Sequence, residues 1–217
     1  MTTTRAARTG FTLSELLVVV AIASLLAGLS VASLHGVSGA AKVSTAGAKL
    51  TGLLESARSD AILKKTPVAV ALLASGQESA SRTFCALEFQ PETGSWVQAS
   101  KWENLPSGIV MDTSADLLNL FLPQNSPPLT PSLPSLTFAG TTYVPGTVTG
   151  YGYVIFLSDG SLYQSHSQPC VLRLVEGAAS PSGPLYTGSK DAQGNPTDYF
   201  KIVINEATGC VKIVRPM

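Results

Sequence analysis

The feature that most constrains this chain is an uncharged run near its start. From Leu16 to Ala41, 26 consecutive residues carry no formal charge, and the run opens Leu16-Leu17-Val18-Val19-Val20-Ala21-Ile22. About 20 apolar residues in a helix suffice to cross the hydrocarbon of a bilayer. The default expectation is therefore a membrane-spanning helix. The segment before it, Met1 to Gly10, holds Arg5 and Arg8 and no acid, which puts that end on the cytoplasmic side. The run also explains the composition. Charged residues make up only 13% of the chain, against about 25% in an ordinary soluble protein. Lys plus Arg and Asp plus Glu both number 14, so no net field draws nucleic acid or anionic lipid.

Three readings compete for the run. A conventional secretory signal has an apolar stretch of about 7–15 residues ending at a small-residue cleavage site; Ala27-Gly28-Leu29 and Ala32-Ser33-Leu34 are of that kind. A simple anchor accounts for the length but not for Glu15 at its head. An acid in the apolar layer costs about 2.5–3.5 kcal/mol, so a partner is expected for it. Thr12-Leu13-Ser14-Glu15 also fits a capping box, in which hydroxyl and carboxylate satisfy free amides at a helix start, and the helix dipole favours a carboxylate there by roughly 0.3–1 kcal/mol. Capping alone does not call for the Gly10-Phe11 junction just before it.

Gly10-Phe11-Thr12-Leu13-Ser14-Glu15-Leu16-Leu17-Val18-Val19-Val20-Ala21-Ile22 resembles the class III signal of type IV pilins and pseudopilins, with glycine, aromatic, acid and apolar run in the same order and spacing. The resemblance implies cleavage after Gly10 by a prepilin peptidase, methylation of Phe11 as the new N-terminus, and retention of the apolar helix. It implies that Glu15 neutralises the N-terminal amine of a neighbouring subunit. A carboxylate and an ammonium in apolar surroundings each need the other. Where the main subunits of such filaments usually carry a proline this chain has Ala32, and where they often carry glycine it has Ser24. Without the proline the expected kink is gone, which fits a minor subunit better than a filament's principal one.

Past Lys42 the pattern turns amphipathic. Val43, Ala46, Leu50, Leu53, Leu54, Ala57 and Ala61 recur in steps of three and four, as on one face of a helix, and Pro67 marks a stop. A helix from Phe11 to about Lys64 would be roughly 80 Å long. The remainder reads as short strands: Val68 to Leu73, Thr83 to Phe89, Ser95 to Val97, Tyr151 to Leu157, Cys170 to Val175, Tyr199 to Ile204 and Val211 to Val214. Asp159-Gly160 is a hairpin turn leading into Ser161-Leu162-Tyr163, and Asn205 to Gly209 closes a final hairpin. Leu122 to Ser135, with five prolines, and Gly177 to Pro196, rich in Gly, Ser and Pro, read as loops between strands that share one sheet. The expected fold is α+β, a long N-terminal helix packed on an antiparallel sheet. Its parts are a leader over 1–10, a transmembrane and assembly helix over 11–41, an amphipathic continuation over 42–64 and a β-rich periplasmic domain over 65–217.

Phe156-Leu157-Ser158-Asp159-Gly160-Ser161, the stretch Tyr199 to Val211, and Ala57-Arg58-Ser59-Asp60-Ala61-Ile62 look like the pseudopilin H class and its FimT-like relatives. As elements of the sequence they make turns and a helix end rather than a reactive site. The resemblance implies a structural subunit of a type II secretion pseudopilus or a type IV pilus. Its partners would be other pilin subunits through the N-terminal helix, the prepilin peptidase, and inner-membrane lipid before assembly.

Enzyme motifs are missing from the sequence: there is no G-x-S-x-G, no phosphate loop and no H-E-x-x-H. No cofactor is expected. Asp191, Asn195 and Asp198 cluster in a Gly/Pro-rich stretch, and some pseudopilins hold calcium in a C-terminal loop, but the spacing departs from the EF-hand pattern and reads as a solvated turn. Cys85, Cys170 and Cys210 cannot all pair within one chain. Cys85 and Cys170 share strand parity with Leu87 and Leu172 and are expected to face the core. Some FimT-like minor pilins take up DNA through a basic C-terminal hairpin, which makes a DNA-binding minor pilin the alternative function. Phosphate binding needs clustered Lys and Arg, and this hairpin offers Lys201, Lys212 and Arg215, with Cys210 where those relatives tend to be basic. Nucleic acid is not the favoured partner.

Overall fold

The computed structural model describes residues 13–73, 80–112, 132–146, 150–163, 170–180 and 183–215, with the side chains of 25–38 and of residue 80 left aside. The chain divides into two compact units, 1–39 and 40–217. One helix, α1 (Leu13–Lys64), contributes to both. In the first unit the described residues 13–24 are helical and exposed. No helix among the described residues is long and apolar enough to cross a membrane; residues 25–38, which lie inside the uncharged run, are among those whose side chains are not described.

In the second unit the three-and-four spacing does what helix geometry requires. Val43, Ala46, Leu50, Leu54, Ala57 and Ala61 are all buried, with Leu53 packed beside them. Each large aliphatic side chain of this stripe contributes on the order of 1.5–3 kcal/mol by leaving water. The helix ends where Lys65 takes a left-handed conformation (φ 56°), and Pro67 disfavours helix in the residue before it.

The stripe serves two sheets where the sequence suggested one. The first has the order β3 (Ser95–Gln98), β2 (Thr83–Gln90), β1 (Val68–Leu73), β8 (Tyr151–Phe156), with the short β4 (Glu103–Asn104) also on β2. The second has the order β10 (Gly183–Tyr186), β9 (Cys170–Ser180), β11 (Tyr199–Ile204), β12 (Val211–Val214), with β5 (Ile109–Met111) also on β9. All pairings within them are antiparallel. Val68, Val70, Leu72, Phe84, Val154 and Phe156 of the first join Cys170, Leu172, Leu174, Phe200, Ile202 and Ile204 of the second around the helix stripe. Side-chain periodicity says which face of a strand is apolar but not which strand lies beside it, so the division was invisible in the sequence.

The unbroken apolar run of β1 has a physical cause as well. Its even-numbered residues face the helix, while Ala69, Ala71 and Leu73 face a second layer on the other side with Cys85, Leu87, Trp96, Leu133, Leu136, Tyr143, Tyr151 and Ile155. A hairpin of β6 (Leu136–Phe138) and β7 (Thr141–Tyr143) supplies part of that layer. Its two turn residues, Ala139 (φ 48°) and Gly140 (φ 81°), give the mirror-image turn that tight hairpins favour.

The long helix, its stop, and most strands with central or C-terminal positions match the sequence reading within a residue or two. Two further expectations need correction. Gly177 to Pro196 is not simply a loop: Gly177 to Ser180 extends β9, and Gly183–Tyr186 folds back on it as β10. Gly177 fits because a side chain there would overlap the carbonyl of Leu185, so its glycine marks a close strand approach rather than a break. The return limb after Asp159-Gly160 makes only an isolated bridge, Phe156 to Leu162, and the Leu162 amide donates instead to the Glu206 carbonyl between β11 and β12. The proline-rich stretch lies outside the described residues up to Pro131; beyond it Leu133 is buried and the Pro134 carbonyl accepts a hydrogen bond from the Tyr151 hydroxyl at 2.6 Å.

Gly47 sits on the helix directly beneath the ring of Phe200, and an added Cβ would collide with that ring, whereas Gly52 has nothing within 4 Å of the same position. Helix propensity favours alanine over glycine by about 1 kcal/mol at both sites. Gly52→Ala is expected to raise the stability of the folded unit by about that amount, and Gly47→Ala to lower it by about 1–3 kcal/mol through overpacking. Denaturant unfolding of the two variants checks the opposite signs.

Candidate functional site

From Leu16 to Ala23 the head of α1 is apolar on every side. Leu13 is 84% exposed, and Leu16, Leu17, Val18, Val19, Val20 and Ile22 are each more than half exposed. Ser24 turns its hydroxyl inward, donating to the carbonyl of Val20 at 2.8 Å, so it adds little polarity to the outside. Leu13, Leu16, Leu17, Val20 and Ala21 line a shallow depression. Apolar surface of this extent is stabilised by leaving water, at about 25 cal/mol per Å², and marks a protein or membrane contact. Glu15 stands in the first turn of this helix, exposed to the outside. Gly10 and Phe11 lie outside the described residues, as does Thr12 of the capping box.

The three motif segments that read as fold markers meet in space. The Arg58 Nε–H is shared between the carbonyls of Thr208, at 2.8 Å, and Gly160, at 3.3 Å. The amide of Leu162 donates to the Glu206 carbonyl at 2.8 Å, lacing the turn after β8 to the turn between β11 and β12. Each turn is self-organised. Asp159 Oδ1 accepts from the amide and hydroxyl of Ser161, which hold its carboxyl below the usual range. Asn205 Oδ1 accepts from the amide and hydroxyl of Thr208. Gly209 (φ 63°) fits only as glycine, since a Cβ would overlap the Gly160 carbonyl oxygen. The arrangement anchors turns; it assembles no nucleophile with a base. Arg58 had been visible only as part of a helix-end motif, one position off the apolar stripe.

A second polar cluster could not be read from the sequence because its members are 61 and 74 residues apart. The fully buried Asp112 carboxylate takes Arg173 through its terminal nitrogen and through Nε at 2.6 Å, and the Tyr186 hydroxyl at 3.1 Å. Arg173 also lies 5.6 Å from the ring centre of Tyr199. Burial, then the Asp112 charge, pushes the Tyr186 hydroxyl up. This pair joins the end of β5 to β9 and β10. A buried charge needs such a partner.

The remaining candidates separate. Of the basic residues on the last hairpin, Arg215 is drawn back to the helix, donating to the Ser44 hydroxyl at 2.9 Å and standing 5.0 Å over the Phe200 ring. Lys212 is exposed and Lys201 half-buried. Asp191 spends its carboxylate inside its own loop, accepting from the amides of Gln193 and Asn195 and from the Asn195 side chain. Among the described residues no group of three or more His, Cys, Asp or Glu is placed to hold a metal ion. All three cysteines are free. Cys170 sits in the core around the helix and Cys85 in the layer beyond β1. Burial pushes each thiol up to about 12, with Glu206 adding to the effect at Cys170. Cys210 is exposed.

Comparison with known proteins gives one sequence match. Residues 5–31 match the family model described as the prokaryotic N-terminal methylation motif. No curated protein matches the chain. Among solved structures the chain is similar to the minor pseudopilin EpsH from the type 2 secretion system of Vibrio cholerae, at 12% identity and a TM-score of 0.44, over 80% of this chain and 97% of that one. It is also similar to the type IV minor pilin FimU of Pseudomonas aeruginosa strain PAO1, at 9% identity and a TM-score of 0.41, over 81% and 92%.

The two raised thiols stay protonated well above neutral pH, and only a thiolate attacks an alkylating reagent. Alkylation of the native protein at pH 8 is expected to modify Cys210 alone, with Cys85 and Cys170 reacting only after denaturation. Peptide mass spectrometry of the labelled chain checks this.

Proposed function

We propose that this type IV pilin-like chain, with the methylation motif at its head and a helix packed on antiparallel sheets behind it, is a structural minor subunit that assembles through its N-terminal helix. The observation that carries the reading is the exposed, wholly aliphatic surface from Leu16 to Ile22 inside the segment that matches the methylation motif. In this reading residues 1–10 are a leader removed after Gly10 by a prepilin peptidase, and Phe11 becomes the methylated N-terminus. Residues 11–41 hold the subunit in the inner membrane until assembly, 42–64 continue the helix, and 65–217 form the periplasmic domain.

The chemistry of transfer from lipid to filament follows from the side chains. Leaving lipid for a bundle of like helices exchanges one apolar contact for another, so close packing rather than water exclusion must favour association. Glu15 supplies direction. Its carboxylate in an apolar layer is stabilised when a neighbouring subunit's terminal ammonium meets it, and each charge offsets the other's desolvation. The machine served is a type II secretion pseudopilus or a type IV pilus. The alternative, a DNA-binding subunit of an uptake pilus, loses support from Arg215, whose guanidinium is engaged with Ser44 and Phe200. Lys201 and Lys212 alone make a small phosphate-binding surface.

Mass spectrometry of the chain from its native host is expected to find it starting at Phe11 with one added methyl group. A chain still beginning at Met1, or one that has lost the whole apolar run, would overturn the reading. Glu15→Ala is expected to be cleaved normally but to enter filaments at least about a hundredfold less well, the scale of leaving one buried charge without its partner. Wild-type incorporation of that variant would remove the role given to Glu15.

A further inference from the structure

The last strand is held in place differently from the rest of the second unit. Among the described residues β12 pairs only with β11, from Ile204 and Val211 to Lys201 and Val214. Its neighbour β11 sinks Phe200, Ile202 and Ile204 into the core. On β12 itself only Val211 touches that core, while Lys212, Ile213 and Val214 are exposed. Burial therefore contributes little to keeping β12 closed.

Two guanidinium groups fasten its ends to the helix instead, beside the bond from the Leu162 amide to the Glu206 carbonyl in the turn. At the turn, Arg58 bonds the Thr208 carbonyl at 2.8 Å. Past the last paired residue, Arg215 bonds the Ser44 hydroxyl at 2.9 Å and lies 5.0 Å over the Phe200 ring. Phe200 can take that position because residue 47 beneath it is glycine. Both fastenings reach the same helix, about four turns apart, so β12 lies along it tied at each end. Segments with exposed backbone bonds and few buried contacts open at lower free energy than the core around them.

We propose that β12 and its turn form a strap, buckled to the helix by Arg58 and Arg215, that opens as a local unit and uncovers the edge of β11 while the first sheet stays closed. Opening exchanges the edge of β12 for that of β11, and an uncovered edge is a template for another strand.

Hydrogen exchange of the full chain in detergent, read by mass spectrometry, tests this. In the unmodified protein, peptides over 205–215 are expected to exchange faster than those over Val68–Leu73. Arg58→Ala and Arg215→Ala are each expected to speed exchange over 199–215 by about tenfold, the scale of losing one charge-assisted hydrogen bond, with Val68–Leu73 unchanged. Arg215 is on the surface, so its variant carries the test even if Arg58→Ala does not fold. Exchange over 205–215 as slow as in β1, no change in Arg215→Ala, or an equal rise in β1 would each overturn the proposal.

Discussion

Burial of one helical stripe by two sheets is the constraint on which the second unit depends. Val43, Ala46, Leu50, Leu54, Ala57 and Ala61 present a narrow apolar face, and no single sheet among the described residues covers it. The inner residues of β1 and β8 take part of it and those of β9 and β11 the rest. Antiparallel sheets can leave one face to water, and the second sheet does so only in part: Val171, Arg173, Tyr199, Lys201 and Val203 are half-buried there, while Val110 and Val175 are buried. The first cannot, because β1 is apolar on both sides. That second apolar side is why the chain adds the β6–β7 hairpin and the residues around Leu133 as an outer layer.

Where two sheets meet one helix, the joint requires specific chemistry. It is made by Arg58, whose Nε–H reaches carbonyls from a turn of each sheet. Loose turns would not offer those carbonyls in fixed positions, so Asp159 and Asn205 first rigidify them with local hydrogen bonds. Gly209 then permits the close approach. Motifs that the sequence analysis took as markers of fold are markers because they converge on this joint. The buried pair of Asp112 with Arg173 does similar work for β5, β9 and β10.

One helix is thus asked for two kinds of surface. Between 43 and 61 its apolar residues are confined to a stripe, and the opposite face carries Lys42, Lys49, Glu55 and Ser59, all exposed. Between 16 and 23 the residues are apolar all the way round and exposed. An all-round apolar helix is built for surroundings of lipid or like helices, an amphipathic one for a core. The switch from one pattern to the other near Lys42 is the sequence-level trace of the proposed division between assembly and folding.

How much could be read in advance follows from the range of each interaction. Helix limits, the stop at Pro67, the strands Val68 to Leu73 and Tyr199 to Ile204, and the turns at Asp159-Gly160 and Asn205 to Gly209 rest on neighbours within a few residues, and all were legible. The inward aim of Cys85 and Cys170 was legible too, since alternation along a strand fixes facing. Four short strands, β4 to β7, were not; with two or three residues each they have no period to detect and exist only through their partners. Gly177 looked like a break because glycine's local meaning is flexibility, while its use here is closeness to Leu185. The sequence by itself determined the apolar head with Glu15 in its first turn, the amphipathic stripe and the antiparallel strands, because these are local patterns of side-chain type. Only the tertiary structure decided that the strands form two sheets, that Arg58 joins them and that Arg215 turns back to the helix, because strand partners and hydrogen-bond acceptors 102 to 171 residues away leave no local trace.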